Sequence, residues 1–249
     1  MLSSKSSQFD HTHSGQGFTQ TRWTLVRLAE SDQSDEARQA LEDLCTCYWS
    51  SIYAFLRRRG HRPHDAEDFT QGFFSSLLES GSISRADRSK GRFRTFLLGS
   101  LKYYLVDESR KRQALKRGGP NAFAELPFHE AEERYLSEPD PGLAAEEVFD
   151  RRWAASLLET AFQQLEAEFT KAGQSDRFRH LKGFVAEEAS EADCQDLATK
   201  LDITPKSASV AVYRLRTRYR KLVREAVLAT VSGPELVKDE FLELFGAKG

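Results

Sequence analysis

Long apolar runs are missing from this 249-residue chain: no stretch approaches the roughly 18 apolar residues of a membrane span, so no membrane insertion is expected. The opening segment MLSSKSSQFDHTHSGQGF has no apolar core of the secretory kind, and residues 1–20 are expected to be a disordered tail on a cytoplasmic protein. Cysteine is scarce and odd in number. Cys45, Cys47 and Cys194 fit neither a disulfide framework nor a zinc ribbon, which leaves reduced, buried thiols. Of His11, His13, His61 and His64 the first two lie in the tail, and Cys45 and Cys47 lie on a helix with Tyr48 and Trp49, so no metal and no cofactor are expected. No glycine-rich phosphate loop occurs, and no pair of acids is fixed by spacing beside a nucleophile. Catalytic residues are therefore expected to be none, and the chain is not read as an enzyme.

What remains is charge and helical periodicity. The formal net charge of −2 conceals segregation, since residues 85–118 carry eleven Lys/Arg against three acids while residues 121–150 carry nine acids against one Arg. Apolar residues recur at helical spacing in 21–31 and 35–59, the second run ending at RRRGHRP with Gly60 and Pro63 as stop signals. In HDAEDFTQGFFSSLLES, Asp65 is placed as a helix cap and Ala66, Phe69, Phe73 and Leu77 form the apolar stripe, with Glu67, Asp68 and Gln71 opposite. GRFRTFLLGSLKYYLVDESRKRQALKR follows as one long helix with a basic end, which suits the negative pole of a helix dipole. Residues 118–142 hold four prolines and three glycines without a sustained period, the composition of a flexible acidic linker. Helical periodicity then returns through Phe149, Trp153, Leu157, Leu158, Phe162 and Leu165. The expected fold is all-α, with two helical modules joined by that linker: 21–117 and 147–232, followed by a helical extension at 233–249.

Two stretches carry a functional signal. DLATKLDITPKSASVAVYRLR has the outline of a helix-turn-helix, with Thr204 capping and Pro205 starting the second helix. On that helix Ala208, Ala211, Val212, Leu215 and Tyr219 share one side. Ser209, Val210, Tyr213, Arg214, Thr217 and Arg220 share the other, a mixture suited to a major groove. The second stretch, RFRTFLLGSLKYYLVDESRKRQALKR, interleaves aromatics with cations as a protein that holds unpaired DNA would. Phe93 and Phe96 are expected mainly in the core, with the tyrosines and terminal arginines as contacts. Taken alone, these features also fit a stand-alone helix-turn-helix regulator, or a helical scaffold gripping an acidic protein.

Taken together, YWSSIYAFLRRRGHRPHDAEDFTQGFFSSLLE, then RFRTFLLGSLKYYLVDESRKR, then DLATKLDITPKSASVAVYRLRTRYRKLV resemble a bacterial extracytoplasmic-function sigma factor. The resemblance covers most of residues 21–232, and the long approach and tail are similar to longer members of the planctomycete type. It implies core RNA polymerase and promoter DNA as partners and leaves an anti-sigma factor open. It places polymerase contacts at Asp68, Gln71 and Phe74, −10 contacts at Lys102, Tyr103, Arg110 and Arg112, and −35 contacts at Lys206, Ser209, Tyr213 and Arg214. Relatives often carry Asn where Tyr103 stands and a basic residue where Ser209 stands, so no promoter sequence is carried over. The amphipathic tail, with Leu236, Val237, Phe241, Leu242 and Leu244, is expected to fold back on the second module.

Overall fold

The computed structural model describes residues 35–80, 92–114, 128–137, 140, 142–231 and 233–246. The expected tail and the expected helix at 21–31 lie outside them. Every regular element among the described residues is helical: α1 (Asp35–Arg58), α2 (Pro63–Glu79), α3 (Phe93–Ala114), α4 (Phe128–Leu136), α5 (Ala145–Lys171), α6 (Ser175–Leu181), α7 (Glu191–Leu201), α8 (Pro205–Leu228) and α9 (Val237–Phe245), with single 3-10 turns before α7 and α9.

Helix boundaries follow local chemistry. α1 ends on Arg57 and Arg58, cations at the negative pole, and the chain turns at Gly60, whose φ of +90° is open to glycine. Asp65 does not cap α2. Pro63 starts the helix two residues earlier and the Ala66 amide bonds the Arg62 carbonyl, because proline lacks the N–H that a first-turn residue leaves unpaired anyway. Asp65 instead lies in the first turn, where its charge suits the dipole.

Two apolar cores form, and α5 belongs to both. The first gathers Tyr48, Trp49, Phe73, Phe74 and Leu97 from α1–α3 with Phe149, Trp153 and Leu157 from the front half of α5. The second gathers Ala161 and Leu165 from the rear half with Phe178, Leu197, Ala208, Leu215 and Leu222. The most extensive helix pairing is α1 with α5. At its centre the rings of Tyr48 and Trp153 stack with centroids 4.1 Å apart and planes 12° from parallel.

The acidic stretch between the modules departs from the expected flexible linker, because nine of its residues form α4, docked on α1. Glu132 explains the docking. Its carboxylate accepts from Arg57 Nε and the second guanidinium nitrogen at 2.9 Å each and from the Tyr53 hydroxyl at 2.5 Å, while Arg57 lies over the Tyr135 ring. The fork of Arg57 holds the Glu132 carboxyl below its ordinary range, and burial with the neighbouring carboxylate pushes the Tyr53 phenol far up. A carboxyl depressed on folding contributes stability that is present above the ordinary pKa of 4.5 and is lost as pH falls through the depressed value. Hydrogen-exchange protection of residues 131–135 is therefore expected to hold from pH 8 to about 5 and to fall in more acid solution, whereas Glu132→Gln removes that dependence.

The carboxy-terminal helix packs on α8 and α5, so it does fold back on the second module. Phe241 and Leu242 face solvent, while Val237 and Glu240 are buried. Beyond that packing, α9 bridges to the start of α3, where Arg94 and Arg92 receive Glu240. A carboxylate can be buried there because two guanidiniums answer it.

Candidate nucleic-acid interface

α3 divides into an inward and an outward side. Phe93, Leu97 and Leu101 are buried, and Tyr104 packs its ring on Phe73 with centroids 5.7 Å apart. Gly72 on α2 permits that contact, since a Cβ built there would lie 2.3 Å from the Tyr104 hydroxyl. Gly72→Val is accordingly expected to drive Tyr104 off Phe73 and to destabilise the fold by about 1–3 kcal/mol in denaturant unfolding. The outward side presents Tyr103, 79% exposed, with Val106 and Arg110 one and two turns on. Periodicity alone left both tyrosines as contact candidates. The structure turns one outward and the other into the fold.

Lys102 also lies outside, yet it has a partner. Its ammonium is 2.7 Å from Glu146 in the first turn of α5, and that pairing foremost holds the Glu146 carboxyl below its usual range. Arg110 is 3.8 Å from Asp107, a weak same-helix pair at an exposed surface. The side chain of Arg112 lies outside the described residues.

The polymerase candidates on α2 separate by depth. Asp68 is at the surface, with His64 Nδ1 3.2 Å away, and Gln71 is half-buried one turn on. Between them and the helix start, burial foremost raises the Glu67 carboxyl above its ordinary value. Phe74 is 1% exposed and stacks on Trp49, so it supports this face from below instead of lying on it.

In the second module the turn is built by three caps. Ser190 and Asp193 form a reciprocal capping box at the start of α7, Asp202 ends that helix in the left-handed region with φ of 51°, and the Thr204 hydroxyl accepts the Ser207 amide to open α8. A helix, a three-residue turn and a helix result. The inward side of α8 is Ala208, Ala211, Val212 and Leu215; Lys206, Ser209, Val210, Tyr213, Arg214, Thr217 and Arg220 are exposed. Tyr213 is 69% exposed and borders a groove of about 290 Å³ with Ser209, Thr217 and Arg220.

Not every cation of α8 belongs to that surface. Arg218 forks onto Glu168 of α5, with Nε at 2.8 Å, and Arg216 lies 3.8 Å from Glu188. Tyr219 donates to the Leu158 carbonyl at 3.2 Å. These side chains pin α8 to its neighbours. Arg214 and Arg220 are exposed and have no ion pair among the described residues.

Among the described residues no cluster of His, Cys, Asp and Glu is arranged to hold a metal ion, and no helix is long and apolar enough to cross a membrane. Cys47 and Cys194 are free thiols, Cys194 buried.

Residues 44–115, which comprise most of α1, all of α2 and all of α3, match the family model of sigma-70 region 2. No curated protein and no solved structure matches the chain. The match supports a sigma-70 family factor with a role in promoter recognition by RNA polymerase. It falls on the helices that carry Asp68, Gln71, Tyr103 and Arg110.

Proposed function

We propose that this protein is an alternative sigma factor of the extracytoplasmic-function type, which binds core RNA polymerase and directs it to promoters by contacting −10 and −35 elements. The match of α1–α3 to sigma-70 region 2 carries the reading. Asp68 and Gln71 are the polymerase contacts on α2, held in register by Phe74 beneath. Tyr103 stacks on an unpaired base of the −10 element, while Lys102, Arg110 and Arg112 track its phosphates. On α8, Lys206, Ser209, Tyr213 and Arg214 enter the major groove of the −35 element, as the capped start of the helix and its exposed face support. Such a factor delivers the polymerase and aids duplex opening; it performs no chemistry of its own and works with no cofactor.

The test is affinity for core polymerase. The wild-type chain is expected to bind tightly, and Asp68→Arg, at a surface position, is expected to weaken binding at least tenfold while leaving the circular dichroism unchanged. A wild type that does not bind core polymerase contradicts the reading, and tight binding by Asp68→Arg removes Asp68 from the interface.

A further inference from the structure

The cations along α3 meet carboxylates from the second half of the chain. Arg94, 6% exposed, donates from Nε to Glu240 at 2.8 Å and from its terminal nitrogens to Glu240 at 3.3 Å, to Glu243 at 2.9 Å and to Asp150. Arg92 reaches the same Glu240 at 2.5 Å and also Glu243. Lys102, the −10 candidate, is held by Glu146. Glu240 itself is 0% exposed. Beside this cluster, Val227 in the last turn of α8, Val231 just beyond it and Val237 of α9 join the first core, so the helix-turn-helix module is closed against the region 2 module.

That arrangement is too short for two promoter elements. Centres at −10 and −35 are about 25 base pairs apart, roughly 85 Å along B-DNA at 3.4 Å per step. α5, whose two halves lie in the two cores, has 27 residues and is about 40 Å long. Residues 115–144, between α3 and α5, reach roughly 80 Å with α4 kept helical and the rest extended, so the covalent connection allows separation once α5 leaves α1.

We propose that α9 is a latch: Glu240, seated on Arg94 and Arg92, holds the two modules closed in the free chain, and this closed state opens when the protein engages polymerase and promoter. The inference rests on the sigma reading for its purpose but not for its geometry. A buried ion pair adds little net stability because desolvation offsets its Coulomb gain, and α3 cations held by carboxylates become available to phosphate only when those carboxylates withdraw. A closed state also lowers the apparent affinity for polymerase by the fraction of open molecules, so loosening the latch raises that affinity. Glu146 acts with it, because a phosphate and this carboxylate compete for Lys102.

The test uses the full chain with donor and acceptor fluorophores at Glu79 and Gln195, exposed positions on α2 and α7. Wild type is expected to show high energy transfer alone and low transfer with core polymerase and promoter DNA. Glu240→Gln is expected to lower transfer in the free chain and to tighten polymerase binding several-fold. Glu243→Lys, at a partly exposed edge of the cluster, is expected to move both in the same direction by less. Unchanged transfer in both variants, helical content lost in both, or a wild type that stays closed on the promoter would overturn the latch. If wild type fails to bind polymerase at all, the sigma reading falls and the free-chain transfer of the two variants still decides the latch.

Discussion

Trp153→Ala is expected to lower the stability of the chain by about 3–5 kcal/mol in denaturant unfolding, the range for removing a large aromatic from a packed core. Trp153 is fully buried and stacked on Tyr48, where the most extensive helix pairing of the fold has its centre. Truncation removes the indole from the first core without touching any exposed candidate contact. Because α5 is shared, the variant is also expected to broaden the transition, the first core losing its grip on α5 before the second core melts. Circular dichroism and tryptophan fluorescence would then give different midpoints. A loss below about 1 kcal/mol would mean that the seam between α1 and α5 is loosely packed.

Arg214→Ala is expected to weaken promoter-specific binding by the assembled polymerase by roughly 1–3 kcal/mol, about five- to 150-fold, and to relax preference at one or two base pairs of the upstream element. Arg214 is exposed on the outward side of α8 with no ion pair among the described residues. Arg218→Ala is the contrasting case. Its guanidinium is committed to Glu168, so the change is expected to lower stability and to leave base preference as it was. Mobility shifts on promoters randomised at the upstream element separate the two outcomes. Equal loss on every sequence for Arg214→Ala would make that residue a phosphate contact instead of a base contact.

The sequence revealed the helices and the two faces of α8 because both are written at short range. Ala208, Ala211, Val212 and Leu215 repeat at helical spacing and are buried, while Ser209, Tyr213 and Arg214 fall opposite and are exposed. Phe93 likewise lies in the core as its spacing on α3 suggested. What escaped are features made by partners far apart in the chain. Glu132 sits in a stretch rich in proline and glycine that reads as linker, yet Arg57 and Tyr53, some 75 and 79 residues earlier, order a helix around it. Glu240 reads as one polar position on an amphipathic tail, and only the fold brings Arg94, 146 residues away, to its carboxylate. Tyr103 and Tyr104 are adjacent, so composition could not say which faces out; the contact of Tyr104 with Phe73 decides it. The resemblance puts Phe74 among the polymerase contacts, whereas its stacking on Trp49 sets it beneath that surface.

Whether this protein gives core polymerase a promoter is decided by transcribing a fragmented genomic library with core polymerase, with and without the chain, and mapping transcript 5′ ends. Discrete start sites are expected only with the chain, sharing two upstream elements about 25 base pairs apart, the upstream one lost on Arg214→Ala. The same start sites with and without the chain would contradict the sigma reading.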